Sequence, residues 1–145
     1  MLTAIASVLL AAAQPAAAAA PANAVQVDVG RFDPAAFPQA EMRERRMPHN
    51  TMLTRIEDIL RERRCRLAGQ SHRRFDIRVP YVVRLEPDGT PTRFVVADIG
   101  CRPLESFIGQ IILELARVGD FRPTAANEPQ WYSSELRFMM GTPVF

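Results

Sequence analysis

Phe75, Ile77, Val79, Tyr81, Val83 and Leu85 occupy every second position of one eleven-residue stretch, with Asp76, Arg78, Pro80, Val82 and Arg84 between them. A period of two sustained over this length specifies a strand with one buried and one wetter face. Pro80 has no N–H to give to a ladder, which predicts a non-central place in the sheet or a bulge beside it. Pro87, Asp88, Gly89 and Thr90 then form a turn: Pro presets φ, Asp bonds the local backbone and Gly accepts positive φ. Residues 92–99 return as the second strand of a hairpin. Phe94 and Val96 share one of its faces, Val95, Ala97 and Ile99 the other. Both are apolar, so hydropathy does not choose the core face.

Two amphipathic helices flank this hairpin. Met52, Ile56, Ile59, Leu60 and Leu67 recur at helical spacings from about Thr51 onward. Thr54 with Glu57 offers a capping box for a slightly later start, and Gly69 can close the end. An unbroken helix would carry Cys65 away from its apolar face, so the helix stops near Arg64 or Cys65 leaves the core side. Leu104, Phe107, Ile108, Ile111, Leu115 and Val118 define the second helix, with Pro103 suited to its first helical position and Glu105 complementing its dipole. Gly119 supplies its stop. Gly109 lets this helix lie close to the sheet or is simply tolerated there. A last strand is expected over residues 130–140, with Tyr132, Leu136, Phe138 and Met140 on one parity. The expected fold is α+β: two helices on a three-stranded antiparallel sheet, in the order α-β-β-α-β, over residues 51–145. Residues 25–50 read as an irregular, surface-bound or mobile lead-in, in which Val25, Val27 and Val29 allow a short edge strand.

Residues 1–24 contain no charged side chain. A short apolar run from Leu2 to Leu10 is followed by an Ala/Pro segment with small-residue cleavage sites after Ala13, Ala22 or Ala24. This pattern fits a secretory signal peptide. A stable membrane span is not expected, because Pro15 and Pro21 break a segment that is already weakly apolar. Export implies an oxidising, periplasmic setting. There Cys65 and Cys101 are expected to form a single disulfide, worth about 4 kcal/mol in the chain-entropy model.

Reactive chemistry is sparse. His49 and His72 lie in polar segments and are the only imidazoles. Two Cys and two His do not make a zinc pattern, and no Gly-rich phosphate loop is present. Glu105 and Glu114 are nine residues apart on one helix and face opposite ways, so they do not make an acid/base pair. No catalytic, cofactor or metal site is therefore expected, and the chain reads as a non-enzyme. All 18 basic residues are Arg, yet the net charge is only +2, which does not suit a nucleic-acid binder.

The order Tyr81-x-Val83-x-Leu85-x-Pro87-Asp88-Gly89, an apolar helix, Phe121-Arg122-Pro123 and a terminal strand containing Tyr132 resembles the C-terminal domain of TonB-type energy transducers. The likeness spans residues 77–138. It implies a protein partner in the cell envelope, an outer-membrane receptor in the family's case. The partner's extended segment would lie alongside the last strand by strand addition, against Trp131, Tyr132, Ser133, Ser134, Glu135, Leu136, Arg137 and Phe138. The family's Tyr-Pro signature, Pro-rich spacer and inner-membrane helix are missing, so the chain looks like a stand-alone exported relative. A second expectation comes from Arg61, Arg63, Arg64, Arg66, Arg73, Arg74 and Arg78. This basic cluster would let a disulfide-stabilised envelope protein bind an anionic partner.

Overall fold

The computed structural model describes residues 24–42, 50–62, 65–118, 121–124 and 127–141. The expected leader therefore lies outside the described residues except for Ala24, and so do His49, Arg63 and Arg64.

The elements run β1 (Gln26–Gly30), β2 (Glu41–Met42), α1 (Asn50–Arg61), β3 (Phe75–Leu85), β4 (Pro91–Ala97), α2 (Arg102–Val118), β5 (Phe121–Arg122) and β6 (Gln130–Met140), with a 3-10 turn over Pro34–Ala36. The main sheet is ordered β1-β4-β3-β6. β3 pairs antiparallel with β4, as the hairpin pattern predicts, and also antiparallel with β6 on its other side. The expected three-stranded antiparallel sheet needs one correction. β1 adds a fourth strand parallel to β4, from Gln26 opposite Arg93 to Gly30 opposite Ala97. Its Val27 lies in register with Phe94, on the side facing α2, and Val25 and Val27 pack partly buried against the core, whereas Val29 is exposed. A separate two-stranded ladder joins β2 to β5.

Alternation in β3 works as read. Phe75, Val79, Tyr81, Val83 and Leu85 are almost fully buried, together with Phe94 and Val96 of β4 and Tyr132 and Phe138 of β6. Ile56, Ile59 and Leu60 of α1 and Leu104, Ile108, Ile112 and Leu115 of α2 close this core from one side. Each such side chain contributes roughly 1.5–3 kcal/mol of transfer free energy. Phe94 is the face that cross-strand register selects: it stands opposite Val83 and stacks obliquely on Tyr81 and Phe121, with ring centroids 6.1 and 5.7 Å away.

β3 is central, contrary to the expectation drawn from Pro80, but the proline is accommodated. Its paired β4 ladder ends at Tyr81 opposite Val96. By alternation of backbone groups the nitrogen of Pro80 faces the β4 side, just past that end, so no ladder bond is lost. At the hairpin turn Thr90 donates its N–H to Asp88 Oδ1 at 2.8 Å. Gly89 adopts φ +89°, and a Cβ there would stand 2.9 Å from the Phe121 carbonyl oxygen, so both conformation and space require glycine. At Gly109 a Cβ would meet Val27 Cγ1 at an ordinary 3.4 Å, so close approach does not demand glycine there.

α1 ends at Arg61, earlier than Leu67 and Gly69 suggested. Thr54 lies inside it and donates to the Asn50 carbonyl instead of capping. The chain then leaves the helix, and Cys65 reaches Cys101, with Cα atoms 5.3 Å apart. The disulfide ties this connection to the start of α2. There the buried Glu105 carboxylate accepts the N–H groups of Ile99 at 2.9 Å and Cys101 at 3.2 Å. It is a capping carboxylate from inside the helix, a direct bond beyond the dipole effect expected of it.

Candidate functional site: the outer edge of the last strand

β6 is bonded to β3 along its whole length, from Gln130 opposite Leu85 to Met140 opposite Phe75, without a bulge. Its other edge is the edge of the sheet. Side chains of Tyr132, Ser134, Leu136 and Phe138 point to the helix side, and those of Trp131, Ser133, Glu135 and Arg137 to the helix-free side. The eight residues expected to meet a partner are thus split between two faces. Only backbone groups present them as one line.

The structure places part of the lead-in on that line. From β1 the chain crosses the helix-free face of the sheet, with the 3-10 turn lying over β3 and β6. Asp33 caps this turn by accepting the Ala35 N–H. Ser133 then donates its N–H to Pro38 O at 2.7 Å and accepts the Ala40 N–H at 2.8 Å, a single parallel bridge with Gln39. Its hydroxyl lies 3.3 and 3.4 Å from Phe37 O and Pro38 O. Ser133 is 1% exposed and its cross-strand neighbour Val82 3%, although both lie on the side away from the helices. Of the two readings of this lead-in, surface-bound or partly mobile, the described part is bound: it packs against the sheet.

Backbone groups alternate sides along a strand. Glu135, Arg137 and Met139 therefore aim theirs the same way as Ser133. Among the described residues no backbone hydrogen bond is made to them on that side. Their side chains are exposed, Met139 by 50%. Arg137 is held by a forked ion pair to Asp76, both N···O distances being 2.7 Å. That hydrogen bond keeps the Asp76 carboxyl below its ordinary range and raises the Arg137 guanidinium. On the opposite face Tyr81 is buried against Ser134. Burial pushes its phenol pKa up, and the hydrogen bond with Ser134 offsets part of that.

The basic cluster is not one surface. Arg61 is paired with Glu57 and Asp58 along α1. Arg78 projects from the opposite, helix-free face of β3, directly across from Arg137. Arg73 and Arg74 lie in the turn before β3, and Arg66 is exposed in the connection after α1. Sequence adjacency suggested a patch; the helix and strand periods separate its members. Missed altogether were residues 38–40, Asp76 and Val82 as parts of the last-strand environment. The surplus apolar residue Val82 on a polar parity was the one local signal.

Among the described residues no group of three His, Cys, Asp or Glu is arranged to hold a metal ion, and no helix is long and apolar enough to cross a membrane. His72 lies in the turn before β3. Comparison with protein-family models, with curated proteins and with solved structures gave no match.

Proposed function

We propose that this chain is a non-enzymatic, exported protein-interaction module that takes an extended segment of an envelope protein along β6, from Glu135 toward Met139. One observation carries the reading: Ser133 already accepts an extended segment at this edge, in strand geometry, and the next three outward-facing residues continue the same line. Main-chain hydrogen bonds would supply affinity, and alternate side chains specificity. Exposed Glu135 favours a basic residue opposite it, and exposed Met139 an apolar one. Glu135 and Arg137 also guard the edge against indiscriminate pairing. On this reading the chain is a relative of the TonB-type C-terminal domain. That assignment is supported by the motif order from Tyr81 to Tyr132, and β1 and the crossing segment are additions to the expected pattern. The leader and the Cys65–Cys101 bond fit a periplasmic location.

Panning the immobilised protein against displayed twelve-residue peptides tests this. Selected peptides should shift the amide resonances of Glu135, Arg137 and Met139, and Arg137→Pro should abolish binding by removing an outward N–H. Peptides that instead shift Met52, Phe107 and Ile111, which line the trough between the helices, would contradict it.

A further inference from the structure

We propose that residues 31–40 form a displaceable strap, an intramolecular occupant that closes the start of the β6 edge until an incoming segment takes its place; the inference rests on the reading of that edge as the binding site. The strap runs between two held ends. At one, Gly30 O accepts the Asp98 N–H at 2.9 Å and Arg31 pairs with Asp98, continuing the β1 ladder; at the other, Glu41 and Met42 pair with β5. Between them its clasp on β6 is one bridge with two backbone hydrogen bonds to Ser133, beside the contacts of the Ser133 hydroxyl with Phe37 O and Pro38 O.

This clasp cannot grow into a ladder. Pro38 has no N–H, and the Phe37 N–H is turned inward to Pro34 O. Beyond Ala40 the chain leaves to pair with β5 through Glu41 and Met42. A segment advancing along Met139, Arg137 and Glu135 meets the strap at Ser133. Pairing extends further only if Pro38 and Ala40 let go. Release would also uncover Val82, now 3% exposed, as an apolar contact for the newcomer.

Amide hydrogen exchange of the whole chain at rising sub-denaturing urea tests the strap, because local openings are insensitive to urea whereas global unfolding is not. Ser133 should exchange by a local opening, at a rate that urea leaves unchanged, while Val83 in the central strand accelerates. Ala40→Pro removes one clasp donor and should speed Ser133 exchange roughly tenfold without altering Val83; Gln39→Gly should act in the same direction if the proline variant folds poorly. Ser133 exchanging at the rate and urea dependence of Val83, or unmoved by both substitutions, would overturn the proposal. The peptides selected by panning separate the two claims. Tighter binding to Ala40→Pro than to wild type supports the strap, and equal binding at β6 contradicts the strap alone. Peptides that bind nowhere on β6 contradict the edge reading itself.

Discussion

Val82 and Ser133 stand opposite each other on the helix-free face of the sheet, and both are buried to within a few per cent. The segment that crosses from β1 to Ser133 covers them, so Val82 behaves as a core residue. Val82→Ala should cost roughly 1–3 kcal/mol in urea unfolding, as buried truncations do. A cost under about 0.5 kcal/mol, the range of surface changes, would mean that the crossing segment is not packed there.

The Cys65–Cys101 bond closes a separation of 36 residues. Reduction, or the double substitution Cys65→Ala with Cys101→Ala, should lower stability by about 4 kcal/mol in the chain-entropy model. Thermal unfolding with and without a dithiol reductant checks it: the wild type should shift and the double variant should not.

Glu105 is the buried carboxylate that holds two backbone N–H groups at the entry to α2. Glu105→Ala leaves both donors without their acceptor and should cost about 1–3 kcal/mol. Glu105→Gln keeps an acceptor oxygen and should recover part of that in the same denaturation assay.

Two groups give the stability profile opposite limbs. Arg137 holds the Asp76 carboxyl low, so its contribution is complete above the ordinary aspartate pKa, near 3.9. It is lost as pH falls through the lowered folded value. Tyr81 is raised, first by burial. Its contribution is complete below the ordinary tyrosine pKa of about 10 and is lost as pH rises toward the folded value. Asp76→Asn should flatten the acid limb and Tyr81→Phe the alkaline limb of stability against pH.

The sequence made the central layer legible because β3 and both helices carry local periodicity strong enough to fix their buried faces. Where pairing is remote, local pattern said little. β1 lies beside β4 across more than sixty positions of chain, and its valines could announce a strand but not its partner. The two apolar faces of β4 were equivalent until register with Val83 and Tyr81 separated them. The last strand does lie at the edge of the sheet, yet which of its residues face outward depended on the Ser133 bridge. That bridge also shows that Ser134, with Tyr81 opposite it, has its backbone groups in the β3 ladder. A proline at Ser134 would therefore damage the sheet, whereas one at Arg137 leaves the β3 ladder intact and removes an outward N–H together with the ion pair to Asp76.

Amide exchange read along β6 tests the central claim most directly. Tyr132, Ser134, Leu136 and Phe138 should be strongly protected, Ser133 intermediate, and Glu135, Arg137 and Met139 fast, because only the first set donates to β3. Uniform protection through Glu135, Arg137 and Met139 in the free protein would show that the edge is already closed, and would contradict the account.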